Sequence, residues 1–88
     1  MTTTPVSTGR SALSAKVAEE IRAVMARKGI TSGGLARQLG VSDAWTSRRI
    51  SMRGDGEIDL GDLERIADVL GVTVVDLLPA AMVRPNNR

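Results

Sequence analysis

The chain predicts an all-α fold, a compact bundle of five helices, and three observations carry that expectation. Apolar residues recur three and four apart in several stretches, which is the spacing of one buried helix face. Those stretches are punctuated: Ser, Thr or Asp stands before them, and Gly29, Gly40 and Gly71 stand after them. The apolar residues are almost all Ala, Val, Leu, Ile and Met, with one Trp and no Phe or Tyr, a composition that suits packed helices better than sheets. At 88 residues one small domain with a modest core is the default.

Composition narrows the function classes. There is no Cys, so no disulfide framework and no thiolate chemistry is expected. There is no His, so the usual zinc ligands and the commonest general base are both missing. No Ser has a plausible base, and no glycine loop carries the lysine that cradles phosphates. An enzyme, a metal and a cofactor are therefore not expected. No apolar run approaches the length of a membrane span, and MTTTPVSTGR lacks the apolar stretch of a signal peptide. A cytoplasmic protein is the simplest expectation. The net charge of +2 is unevenly spread: residues 1–54 hold nine Lys or Arg against three acids, and residues 55–88 hold three Arg against seven acids. A basic half points toward phosphate.

Residues 1–10, Thr-rich with one Pro and one Gly, read as a disordered arm. Arg10 is either a basic tip that reaches into a groove of DNA or part of a tail with no role. The first helix runs from Ser11 or Ser14 to Lys28. Leu13, Val17, Ile21, Val24 and Met25 form its buried stripe, Arg27 and Lys28 suit the negative end of its dipole, and Gly29 ends it. The second helix starts at Thr31 or Ser32, either a good cap, and ends at Leu39. Gly33 and Gly34 in its first turn have two readings: a frayed start, or a bare backbone that a phosphate can approach closely. Gly40 and Val41 make a tight turn, and Ser42 caps a third helix over about 43–52. That helix has few residues to bury, Thr46 and Ile50, and it shows Ser47, Arg48 and Arg49, with Arg53 just beyond. A helix that buries little and displays guanidinium groups is built to touch something anionic.

The next loop carries Asp55, Glu57 and Asp59 in alternation, but the spacing fails for a calcium loop. These read as solvated carboxylates plus a cap. Asp59 caps a fourth helix whose stripe is Leu60, Leu63, Ile66, Ala67 and Leu70, ended by Gly71. Thr73 caps a short fifth helix, 74–78, stopped by Pro79. The domain is thus expected over residues 11–78, with 79–88 a tail.

The run ITSGGLARQLGVS, the following SRRI and the later DLERIADVLGVTVVDLL resemble the phage-repressor type of helix-turn-helix protein, also called the Cro/repressor or xenobiotic-response-element type. The resemblance covers about residues 17–78. It implies a lambda-repressor-like DNA-binding domain whose helix-turn-helix is made by the second and third helices. The sequence departs from the family where Gly33 and Gly34 replace Gln or Glu, where Thr46 replaces an apolar branched residue, and in a longer loop over 51–58.

The resemblance implies a recognition helix in the major groove. Asp43, Ala44, Trp45 and Arg48 would face bases, with the Arg48 fork matched to guanine. Asp43 could instead serve the helix dipole, and Trp45 could instead pack in the domain. Thr31, Ser32, Gly33, Arg37, Ser42, Ser47, Arg49 and Arg53 would hold phosphates. The family usually pairs as two-fold dimers on palindromic operators, and Val74, Val75, Leu77, Leu78 and Met82 are the candidate dimer surface. The implied function is a sequence-specific double-stranded DNA-binding regulator, a small phage or prophage-type repressor. The alternative is the same fold used as a protein-interaction module, gripping a toxin or polymerase.

Overall fold

The computed structural model describes residues 10–80 of the chain. The expected arm up to Gly9 and the tail from Ala81, Met82 included, lie outside the described residues. Within them stand α1 (Ala12–Lys28), α2 (Ser32–Leu39), α3 (Asp43–Ile50), α4 (Leu60–Leu70) and one 3₁₀ turn, Val75–Leu77.

The described residues are all-α as expected, but with four α-helices and not five. The segment expected as a fifth helix makes only the 3₁₀ turn. Pro79 forces Leu78 toward extended backbone, and Leu78 sits at φ −91° and ψ 150°. Thr73 and Asp76 close the turn on each other: the Asp76 N–H donates to Thr73 Oγ1 at 3.2 Å and the Thr73 N–H donates to Asp76 Oδ2 at 3.0 Å. The Thr73 N–H first, and the Thr73 side chain after it, hold the Asp76 carboxyl below its ordinary value.

The three longer stripes make the core. Val17, Ile21, Val24 and Met25 of α1 meet Leu35 of α2, Ile50 of α3, and Leu63, Ile66, Ala67 and Leu70 of α4. Leu77 of the 3₁₀ turn is wholly buried among them. That burial is why the turn stays in place without being a helix. Two expected members of the stripes are not buried. Leu13 is 46% exposed and Leu60 is 82% exposed. Each lies in the first turn of its helix, where the apolar period continues past the point at which neighbouring elements cover it. In α1 the buried place is taken by Ser14.

Local signals set most boundaries. Ser11, Thr31, Ser42 and Asp59 each stand in extended backbone and accept an N–H from the first turn that follows. Asp59 and Asp62 bond reciprocally as a capping box. At the other ends, α1, α2 and α4 close through left-handed glycines. α3 does not. It ends at Ile50, two residues earlier than expected, because Ser51 turns extended at ψ 159°.

Candidate nucleic-acid interface

α2, its turn and α3 form one unit. Gly40 at φ 75° reverses the chain, a backbone conformation that costs a residue with a Cβ ~1 kcal/mol or more. The Val41 N–H then donates to Ala36 O at 3.0 Å. Ser42 Oγ accepts the Trp45 N–H at 3.0 Å and starts α3.

An isolated helix of eight residues is unstable in water, so α3 depends on what it docks against. It fully buries only Thr46 and Ile50, as the spacing predicts. The Thr46 hydroxyl faces the Ser42 carbonyl at 3.4 Å, so the polar atom inside the domain is turned onto backbone. Away from those contacts the helix is open: Ser42, Asp43, Ala44, Ser47 and Arg48 are all exposed. Ala44, Ser47 and Arg48 are spaced three and four apart, so they share one side of the helix.

The first turn of α2 lies beside the start of α3. Thr31, Ser32 and Arg37 are exposed, and Gly33 and Gly34 are half-buried. A Cβ on Gly33 would lie 3.8 Å from Arg37 Nη1 and 4.0 Å from Asp43 Oδ1. Arg37 and the start of α3 thus both come close to Gly33. The first turn is regular helix, capped by Thr31 Oγ1 accepting the Gly34 N–H at 2.9 Å. The two glycines do not fray it.

Two expected site residues are engaged within the domain. Trp45 is half-buried and packs against the core cluster. The Arg49 guanidinium carbon stands 4.3 Å from its ring centroid and that of Arg65 stands 5.9 Å away, within cation–π range. Arg49, expected on a phosphate, turns toward α4. Its Nε lies 3.7 Å from Asp62 Oδ2, an ion-pair distance too long for a hydrogen bond. Its Nη1 donates to Trp45 O at 3.3 Å. The side chain is 23% exposed. The sequence hides this because Asp62 belongs to another helix. Arg48 remains 67% exposed with Asp55 at 4.0 Å, a surface pair of little energetic consequence. Arg53 is exposed beyond the end of α3.

The C-terminus of α3 holds the residues that sequence reasoning missed. A helix leaves its last four carbonyls without intrahelical partners. Here Ser47 O accepts the Ser51 N–H at 3.2 Å and Arg48 O accepts the Gly56 N–H at 2.7 Å. Arg49 O accepts from Arg10 Nη1 at 2.9 Å, and Ile50 O accepts from Arg22 Nη1 at 2.6 Å. Arg10 Nη2 goes on to Ser51 O at 2.8 Å and Met52 O at 3.1 Å. Arg10 is therefore engaged with α3 and the loop after it. The loop presses closely: a Cβ on Gly54 would stand 2.7 Å from the Arg48 carbonyl carbon and 2.8 Å from Ser47 O.

Glu57, read as a solvated carboxylate, knots this loop to α1. It accepts the Ser11 N–H, the Ser11 hydroxyl at 3.1 Å and the Ser14 hydroxyl at 2.8 Å. Ser14 Oγ in turn accepts the Ile58 N–H at 3.1 Å. The Ser14 bond, then the Ser11 backbone bond, hold the Glu57 carboxyl below its ordinary value; partial desolvation opposes them, and the Ser11 hydroxyl and the charge of Arg10 add to them.

Of the dimer candidates, Val74 and Leu78 pack partly against the core, Leu77 is buried and Val75 is 56% exposed. Among the described residues, no three His, Cys, Asp or Glu side chains gather where they could hold a metal ion. None of the described helices is long and apolar enough to cross a membrane.

Residues 16–80 match a family described as a helix-turn-helix domain. The chain is similar to a hypothetical transcription factor, NHTF, from Neisseria: 33% identity, TM-score 0.68, over 76% of this chain and 75% of that one. It is also similar to part of FeII HppE, at 30% identity and TM-score 0.68, over 80% of this chain and 36% of that one. It therefore spans about a third of the latter's length. No curated protein matches it.

Proposed function

Since the chain belongs to the helix-turn-helix domain family, we propose that it is a sequence-specific double-stranded DNA-binding transcriptional regulator whose α3 enters the major groove. One observation carries this reading. α3 is fastened through Thr46, Ile50 and its C-terminal carbonyls, while Ala44, Ser47 and Arg48 are exposed on its outer side and Asp43 is exposed in its first turn. Arg48 is the chief base reader, since its planar fork fits the O6 and N7 acceptors of guanine. Ala44 meets a thymine methyl group. Asp43 stands at the start of the helix, near Gly33. Thr31, Ser32, Gly33, Arg37, Ser42, Ser47 and Arg53 grip phosphates and set register. The printed description of the Neisseria protein as a transcription factor supports the same assignment.

The narrower reading is a small phage or prophage-type repressor, acting in the cytoplasm by binding and not by catalysis. It pairs as a homodimer on a palindromic operator. The exposed Val75, with Val74 and Leu78 beside it, supports a contact at that end of the chain.

Selection of bound duplexes from the DNA flanking the gene tests the proposal. It should return one motif, as two inverted half-sites if the protein pairs. Binding should weaken steeply with salt. Failure to enrich any duplex, with capture of a protein partner instead, would favour an interaction module on the same fold.

A further inference from the structure

We infer that Arg10 is a positioning residue for DNA binding: it sets the attitude of α3 by capping that helix's C-terminus and makes no contact with DNA itself. This rests on the reading that α3 enters a groove.

Two buried side chains, Thr46 and Ile50, define a line along which α3 is seated. Tilt about that line is opposed by attachments away from it: Trp45 packs on the core, Arg49 pairs with Asp62 and Arg22 holds the Ile50 carbonyl, and Arg10 adds a hold that spans the helix end and the loop beyond. Its two Nη groups reach three carbonyls, those of Arg49, Ser51 and Met52, at 2.8 to 3.1 Å. A planar fork that spans several acceptors imposes direction as well as attraction. The fork itself has a firm base. The next residue, Ser11, caps the 17-residue α1 and is bonded to Glu57 through both its N–H and its hydroxyl. The start of the longest helix is thereby joined to the end of the helix that displays Arg48. Both Nη groups are committed to carbonyls, so the charge is placed for structure and not for phosphate.

The test measures duplex affinity across a salt series for the full chain, using the duplex recovered by selection. Wild type is compared with Arg10→Ala, Arg10→Lys and, as a phosphate-contact control, Arg53→Ala. Both Arg10 variants should bind about tenfold more weakly, with the slope of log affinity against log salt unchanged. Arg53→Ala should reduce that slope by about 0.9. Lysine keeps the charge but cannot fork across three carbonyls, so it should not rescue. Amide exchange in the free protein should speed up in the last turn of α3 in both Arg10 variants. If Arg10→Ala fails to fold, Arg10→Lys with the exchange measurement decides. Wild-type affinity in Arg10→Lys, or a salt slope reduced by about 0.9 in Arg10→Ala, would overturn the inference. So would variants equal to wild type on a duplex that wild type binds. A wild-type protein that binds no duplex would sink the DNA reading and this inference with it.

Discussion

At its start, α3 has one local cap, Ser42, and side chains turned to solvent; at its end, all four of its last carbonyls are taken, two of them by arginines 28 and 39 residues away in sequence. The difference teaches how a short helix that buries little can still be rigid. α1 and α4 close through their own backbone at Gly29 and Gly71. α3 instead borrows donors from α1, from Arg10 and from the loop that follows it. One end serves as a handle, and the other is left clear for a partner.

The largest expected effect comes from breaking the handle. Gly54→Ala would push a methyl group into the Arg48 and Ser47 carbonyls, which are backbone and cannot swing aside. It should cost about 3 kcal/mol of stability, read as the shift in a urea unfolding midpoint. An unchanged midpoint would mean that the loop does not bear on α3. Ser42→Ala acts at the other end. It should cost about 1 kcal/mol, the usual loss of an N-cap, and less than the loop substitution. If the two losses came out equal, the contrast between the ends would be false.

The smallest effect concerns the knot at Glu57. Its folded-state pKa is lowered by the Ser14 and Ser11 bonds. A lowered carboxylate contributes stability that is present above its unfolded value and is lost as the pH falls through the folded one. The stability gap between wild type and Glu57→Gln should therefore be visible near neutral pH and should close as the pH drops below the ordinary value of 4.5. A gap independent of pH, followed by chemical denaturation, would show that the ionised carboxylate does not hold the loop.

Much of this architecture was legible in the sequence, and the reasons are local. The α1 stripe from Val17 to Met25, the Gly40 turn, the Ser42 and Asp59 caps and the buried pair Thr46 and Ile50 all depend on neighbours within a turn or two. The exposed Ser47 and Arg48 follow from that pair by helical geometry. What escaped depends on distant partners. Arg10 and Arg22 bond to carbonyls, which every residue carries and no sequence pattern marks. Arg49 reads in the sequence as a phosphate-binding surface arginine, because Asp62, which draws it inward over the Trp45 ring, stands on another helix. Leu13 and Leu60 extend apolar periods beyond their cover, and the stretch before Pro79 is too short for a helix to propagate.

The most direct test is Arg48→Ala, titrated against the selected duplex and a scrambled duplex at one salt concentration. Arg48 is exposed and its partner Asp55 is exposed too, so folding stability should change by less than about 0.5 kcal/mol. Affinity for the selected duplex should fall by about 1–3 kcal/mol, with far less loss on the scrambled one. Equal losses on both duplexes would contradict the account.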